Sequence, residues 1–188
     1  MHLFVGLGNC GRNFENTRHN FGFLCVDSIR ERYGLDSRRV KFNAEIFTGD
    51  VEGWNLIIAK PTTFMNNSGA AVARIKSFYR IRNEDIFVFH DDLDLEFCRI
   101  KTKTGGHSGG HNGLNSIDSM IGRDYNRVRL GIGRPENREE IHDFVLSRFT
   151  SDEMEMVNRL NSLICDSILD LFNRRENFLN RIVAGSRQ

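Results

Sequence analysis

Proline is scarce in this chain: Pro61 and Pro135 are the only two among 188 residues. No Pro-, Ser- or Gln-rich stretch and no internal repeat marks a linker or a disordered segment, so residues 1–188 are expected to form one domain with its own core. Long apolar runs are missing as well. No window approaches the ~18 apolar residues that a membrane span needs. Met1-His2-Leu3-Phe4-Val5-Gly6 has neither the charged start nor the long apolar stretch of a signal peptide. The four cysteines (Cys10, Cys25, Cys98 and Cys165) are scattered, with no C-x-x-C pair. That pattern argues against a disulfide frame and for reduced thiols in a cytoplasmic protein. Neither sign of charge dominates, since 26 Lys and Arg stand against 25 Asp and Glu.

The charges nevertheless fall unevenly. Between Arg99 and Arg134 seven basic residues stand against Asp118 and Asp124, whereas Glu136 to Asp170 holds nine acidic residues and three arginines. A basic face beside an acidic helical one is the expectation. Glycine is concentrated in Gly105-Gly106-His107-Ser108-Gly109-Gly110-His111-Asn112-Gly113, with five glycines in nine residues. Glycine adds no packing and costs backbone entropy, so such density needs a sharp turn or a close approach to a ligand. Leu114, Ile117, Met120 and Ile121 follow at helical spacing, and Gly122 ends the run. A polar glycine loop that opens a helix presents backbone N–H groups outward.

Taken in order, Leu3–Val5 is a short buried strand running into Gly6-Leu7-Gly8-Asn9-Cys10-Gly11. This is formally a G-x-G-x-x-G, but Arg12 to Asn20 is too polar and unperiodic for the helix a dinucleotide site requires. The helical period starts at Phe21, with Leu24, Cys25, Ile29 and Tyr33 on one face before Gly34. Glu45–Val51 and Trp54–Ala59 read as a hairpin through Glu52-Gly53. After Lys60-Pro61, Ser68 is placed as the cap of a helix carrying Ala71, Val72, Ile75, Phe78 and Tyr79. Asp85–Phe89 reads as a central strand that delivers His90-Asp91-Asp92-Leu93-Asp94 at its carboxyl end, where open α/β sheets gather ligand groups. Phe97–Thr104 is a strand with Arg99, Lys101 and Lys103 on one face, and Tyr125–Ile132 another with Arg127 and Arg129 at alternate positions. Ile141–Leu146 is a short segment. Asp152–Phe172 is a long amphipathic helix on the stripe Met156, Leu160, Leu163, Ile164, Ile168 and Leu171, and a last helix ends near Val183. Strands interspersed with helices indicate an α/β fold, a twisted mixed β-sheet flanked by helices.

Four loops thus offer Asn9 with His19, Asn66, Asp91, and His111 with Asn112. No serine or cysteine stands in a nucleophile elbow, which argues against a covalent acyl-enzyme. The spacing around His90, Asp91 and Asp92 fits neither a calcium loop nor H-E-x-x-H, so no metal is expected. An imidazole and a carboxylate without a nucleophile suit direct attack by water: the carboxylate fixes the tautomer and the imidazole takes the proton. Asparagine amides can hold a carbonyl and its oxyanion, and basic strands can grip a polyanion through phosphates. The combination suggests an acyl substrate attached to a polyanion. Its rivals are a metallo-hydrolase on His90, Asp91 and Asp92 and a nucleotide-dependent oxidoreductase at Gly6 to Gly11.

Val5-Gly6-Leu7-Gly8-Asn9, Thr17-Arg18-His19-Asn20, Pro61-Thr62-Thr63-Phe64-Met65-Asn66-Asn67-Ser68-Gly69, His90-Asp91-Asp92-Leu93-Asp94 and Gly109-Gly110-His111-Asn112-Gly113 together resemble the bacterial peptidyl-tRNA hydrolase family, in order and over nearly the whole chain. The resemblance implies hydrolysis of the ester joining a peptide to the terminal ribose of tRNA, by a monomeric cytoplasmic enzyme with no metal or organic cofactor. Carried over by motif, it implies His19 as general base, Asp91 as its orienting partner, and Asn9, Asn66 and Asn112 as amides that bind the peptide carbonyl and position water. It implies Phe14, Met65 and His111 as substrate contacts, and Lys101, Lys103 and Arg129 as contacts to tRNA phosphate. Three departures stand out. Cys10 occupies a position where the family usually has proline, Phe14 one where tyrosine is common, and Ser108 lies in a loop that usually reads Gly-Gly-Gly-His-Gly-Gly. The first is expected to loosen the turn carrying Asn9 and the second to remove one hydroxyl contact, while neither touches His19 or Asp91. Retention of both residues speaks against a non-catalytic RNA-binding relative of the same fold.

Overall fold

Short apolar runs of four to six residues can be buried on both sides only in the middle of a sheet covered on both faces. The structure, a computed structural model that describes residues 1–173 and 175–185, is built that way. Seven strands, β1 (His2–Gly6), β2 (Ser37–Lys41), β3 (Ala44–Val51), β4 (Trp54–Pro61), β5 (Ile86–Asp92), β6 (Ile100–Thr104) and β7 (Asn126–Gly131), lie in the order β2-β3-β4-β1-β5-β7-β6. The inner four, β4, β1, β5 and β7, are parallel. The outer strands β2, β3 and β6 are antiparallel to their neighbours, giving the mixed sheet that the alternation of elements implied. All parallel carboxyl ends therefore open on one rim.

The helices are α1 (Phe21–Arg32), α2 (Ser68–Tyr79), α3 (Asn112–Ile121), α4 (Ile141–Leu146), α5 (Ser151–Ser167), α6 (Asp170–Asn173) and α7 (Arg175–Gly185). On one face Phe4, Ile58, Phe89 and Val128 pack with Phe21, Val26 and Ile29 of α1, Val157, Leu160 and Ile164 of α5, and Phe178 of α7. On the other, Leu3, Val5, Ile57 and Val88 pack with Ala71, Val72 and Ile75 of α2 and Leu114 and Ile117 of α3. Each such full burial is worth roughly 1.5–3 kcal/mol. The helices α2 and α3 approach so closely that a Cβ on Gly69 would lie 2.1 Å from the Ser116 carbonyl oxygen. That crossing sets the loop before α2 beside the loop before α3.

Several expectations change in detail. Strand β2 was not anticipated, because all five of its residues are exposed and give no apolar alternation. It is held by its pairing with β3 and by Lys41, whose Nζ lies 4.1 Å from the Phe78 ring centre on α2. Strand β6 starts at Ile100 rather than Phe97, since Cys98 takes a left-handed conformation at φ 57°. Ser68 does not cap α2: Asn67 occupies the cap position, and the Ser68 hydroxyl donates to the Met65 carbonyl at 2.9 Å. The long C-terminal helix stops at Ser167, with α6 a separate turn, and it begins on a capping box formed by Thr150 and Glu153. Met120 and Met156, expected in apolar stripes, are exposed.

Candidate active site

The rim of the sheet gathers side chains from four loops. Strand β5 carries Asp91 on its last turn, only 3% exposed. A carboxylate so buried must be paired, and it is. His19 Nδ1 lies 3.0 Å from both Asp91 oxygens, and His111 Nε2 lies 3.0 Å from Oδ1. The remaining ring nitrogen of His111 accepts from the backbone N–H groups of Gly113 at 3.1 Å and Leu114 at 3.4 Å, so His111 itself caps α3. These partners assign the tautomers. His111 carries its proton on Nε2 and donates to Asp91. His19 donates from Nδ1, which leaves its Nε2 lone pair free.

Electrostatics reinforce that division. Burial by itself pushes His19 down, but the Asp91 charge and hydrogen bond outweigh it and raise the imidazole above its ordinary value. Burial opposes ionisation of Asp91, yet the two neighbouring imidazoles hold its carboxyl far below the usual range. His90, the next residue back, is fully enclosed. Burial above all, and then the nearby His111, lower it to about 3, and its Nδ1 donates to the Asp91 carbonyl at 2.7 Å. It is a neutral strut.

His19 is held from both sides. Ahead of it, Arg18 Nη2 lies 2.9 Å from both Glu153 oxygens, and its guanidinium sits over Phe144 and Phe149 at 4.8 and 5.0 Å. Behind it, the Asn20 side chain clamps the backbone of Asn9, accepting from its N–H at 2.8 Å and donating to its carbonyl at 2.9 Å. Asn9 Oδ1 accepts from the Met65 N–H at 2.9 Å, which orients its Nδ2 as the donor left for a ligand. Asn20 and Glu153 were missed from the sequence, although Asn20 stands directly after His19 in the quoted motif. The turn at Cys10 is tied by Asn20 and by the thiol's contact with the Pro61 carbonyl at 3.6 Å, so the absent proline leaves Asn9 anchored.

The other expected site residues divide into groups. Met65 is buried, and its Sδ fills the space above Gly113, where a Cβ would lie 2.6 Å away. Asn66 and Asn112, the next residue after Met65 and the one before Gly113, are both exposed on this joint. Phe14 is half-buried on the turn Arg12–Phe14, and its carbonyl accepts from the Thr17 N–H at 3.2 Å. Lys101 and Lys103 are exposed on β6. Lys101 stands opposite Arg129 across the strand pair, and Arg129 Nε donates to Asp92 Oδ2 at 2.7 Å. Arg127, grouped with it by sequence alternation, is instead buried. The acidic run does not converge on one point, because Asp92 turns to Arg129 and Asp94 to Arg134. The side chains here that could hold a metal are His19, Asp91 and His111, with donor atoms within 4.8 Å of one another. A cleft of about 420 Å³ backs onto Asn9 from the α1 side, lined by Cys10, Asn20, Phe23, Asp27 and Lys60 among others. His19 and Asp91 are outside its wall.

The Gly6–Gly11 turn opens only into the single 3-10 turn Arg12–Phe14, not into the α-helix of a dinucleotide site, since α1 begins at Phe21. Comparison with known proteins gives one answer. The sequence pattern of the family described as peptidyl-tRNA hydrolase matches residues 3–186. The peptidyl-tRNA hydrolase of Rickettsia canadensis is 48% identical over 184 residues, covering 97% of this chain and 100% of that one. That of Pelagibacter ubique is 46% identical over 175 residues, covering 93% and 94%. The crystal structure of the Acinetobacter baumannii peptidyl-tRNA hydrolase superposes with a TM-score of 0.91 at 35% identity, covering 97% of this chain and 94% of that one. The chain belongs to the peptidyl-tRNA hydrolase family, hydrolases that release peptide from tRNA by cleaving the ester between them.

Proposed function

We propose that His19 is the general base of this hydrolysis and Asp91 the carboxylate that braces it. Water on the Nε2 side of His19 gives up a proton to the imidazole as its oxygen attacks the ester carbonyl. Asp91 stabilises the imidazolium that forms. Amide donors from Asn9, Asn66 and Asn112 hold the carbonyl oxygen as it becomes an oxyanion, a contribution on the order of 3 kcal/mol for a preorganised donor. Collapse of the tetrahedral adduct breaks the bond to the ribose oxygen, which recovers the proton from the imidazolium. Phe14 and Met65 border the acyl group, and His111 acts through Asp91. Lys101, Lys103 and Arg129 take tRNA phosphates, which are sequence-independent contacts. The substrate is thus peptidyl-tRNA, read at its acceptor end. We further read residues 1–188 as one catalytic unit, monomeric and cytoplasmic. Four free cysteines agree with a reducing compartment.

The observation that carries this reading is the 3.0 Å contact from His19 Nδ1 to Asp91, made across 72 residues of chain. Hydrolysis of an N-acetylaminoacyl-tRNA tests it. His19→Ala is expected to lower turnover by roughly 10²–10⁴-fold, with the wild-type rate unchanged in EDTA. Near-normal turnover by His19→Ala sinks the base assignment, and loss of activity in EDTA revives the metallo-hydrolase.

A further inference from the structure

Arg127 heads the largest side chains that are fully buried among the described residues, and a guanidinium inside a core demands partners. It stands on β7, two residues before Arg129, and faces inward. Its Nη2 donates to Asp118 Oδ1 on α3 at 2.8 Å, and its Nη1 donates to the His107 carbonyl at 2.8 Å. The guanidinium carbon lies 4.9 Å from the Tyr125 ring centre, and the Tyr125 hydroxyl donates to the same Asp118 oxygen at 2.7 Å. Arg123, more exposed, approaches the other Asp118 oxygen at 3.6 Å.

One of these contacts does not belong to a purely structural cluster. Asp118 and the Tyr125 ring lie against the buried guanidinium, whereas His107 is part of the glycine loop and contributes only a backbone oxygen. The near limb of that loop is gripped again on both flanks. The Gly105 N–H donates to the Tyr125 carbonyl at 3.0 Å. Lys103, opposite Arg127 across the strand pair, lies so close over Gly106 that a Cβ there would be 2.3 Å from its Nζ. The far limb ends at His111 on Asp91. Between the two limbs Gly106, Gly109 and Gly110 all take positive φ, and the loop closes on itself only at its far end, where the His111 N–H donates to the Ser108 carbonyl at 3.1 Å and the Gly110 N–H to the Ser108 hydroxyl at 3.2 Å.

We propose that Arg127 is a positioning residue of the hydrolase: through the His107 carbonyl it holds the glycine loop in the pose that keeps His111 on Asp91 and Asn112 at the rim. Its alternation with Arg129 points to tRNA, but its guanidinium is enclosed and reaches no phosphate. The inference rests on the reading of His19 and Asp91 as base and brace.

The test is steady-state hydrolysis of two substrates, an N-acetylaminoacyl-tRNA and the same acyl ester on a minimal terminal nucleotide, with thermal midpoints measured in parallel. Arg127→Lys keeps the charge, but a single ammonium lacks the fork that reaches both acceptors. It should lower kcat roughly tenfold on both substrates, with KM for the tRNA and its salt dependence unchanged. Tyr125→Phe removes a bond that never touches the loop, so it should lower the thermal midpoint and leave kcat in place. If Arg127→Lys fails to fold, Asp118→Asn keeps side-chain volume and loosens the guanidinium, and it should reduce kcat on both substrates by a smaller factor. A raised KM confined to the tRNA, with a shallower salt dependence, would make Arg127 an RNA contact and overturn the proposal. So would kcat losses that track the midpoint in Tyr125→Phe as well. Full turnover by His19→Ala overturns the base reading, whereas normal kcat in Arg127→Lys beside an inactive His19→Ala overturns this one.

Discussion

Two carboxylates, the buried Asp91 and the half-buried Asp118, stand on either side of the glycine loop, and their surroundings are alike in geometry. Asp91 accepts from His19 and His111 at 3.0 Å, and Asp118 accepts from Tyr125 and Arg127 at 2.7 and 2.8 Å. The difference lies in the donors. Imidazoles exchange protons near neutral pH. A guanidinium does not, and burial and the bond to Asp118 push the Tyr125 phenol well above its ordinary range. The first carboxylate can therefore serve proton transfer, while the second can only hold a shape. Burial of a carboxylate does not separate chemistry from architecture, but the titration of its partners does.

Exchanging each carboxylate for its amide is the harshest way to break that contrast. With His19 as the proposed base, activity should need its neutral form, and Asp91 raises its pKa. The wild-type acid limb of kcat/KM should therefore lie above the ordinary imidazole value of ~6.5, with activity lost as pH falls through it. Asp91→Asn should cost roughly 10²–10⁴-fold in kcat/KM and move that limb to lower pH, because the charge that favoured the imidazolium is gone. Asp118→Asn should leave the limb where it was. pH–rate profiles of the three proteins decide the matter, and a limb that shifts in both variants would erase the distinction.

A second effect reads the same contrast in stability. His90 is buried against the Asp91 carbonyl and lowered to about 3. As pH falls below ~6.5 the unfolded chain takes a proton at this position that the folded state refuses, so the neutral form's contribution is lost progressively down to the folded value. Between pH 7 and pH 5 this one group should cost wild type on the order of 2 kcal/mol relative to His90→Asn. His19 has the opposite sign: its raised pKa adds stability below the unfolded value that is lost as pH rises through the folded one. Urea unfolding at both pH values measures the difference. The Tyr125 phenol, pushed well above its ordinary range, stays protonated at both pH values, so Tyr125→Phe should lower stability equally at both.

How much of this was legible depended on whether a residue's role is local. Asn9 and Asp91 stand just past the expected strand ends and His19 and Asn66 just before helices, so the element ends could be read and the rim inferred. The hairpin through Glu52-Gly53 was visible because both residues take the left-handed conformation that a two-residue turn requires. Strand β2 was not, because the turn at Phe42-Asn43 takes the same conformation without glycine and β2 hides no apolar face. The break after Ser167 carries no glycine or proline to announce it. Arg127 was read as one of an alternating basic pair, since nothing in its alternation says that Asp118, nine residues back on α3, and His107, twenty back, will close over it. His111 was read as a contact in the cleft, and only the fold shows both ring nitrogens engaged, one on Asp91 and one on the helix it caps.

The smallest effect sharpens the comparison at its outer edge, where Lys103 and Arg127 face each other across β6 and β7. Both are cations on the same strand pair, yet Lys103 is exposed and Arg127 is buried. A phosphate contact depends on released counterions and therefore on salt, whereas a buried tie does not. Lys103→Ala should raise KM for the tRNA substrate only several-fold and reduce the slope of log affinity against log salt by about one. Cleavage of the minimal ester should be nearly intact, the reverse of the pattern expected for Arg127→Lys. Titrations at two or three salt concentrations on both substrates would show it. Equal losses on both substrates would mean that the Lys103 side chain over Gly106 matters more to the loop than to RNA, and the division between holding the substrate and holding the site would have to be redrawn one residue further out.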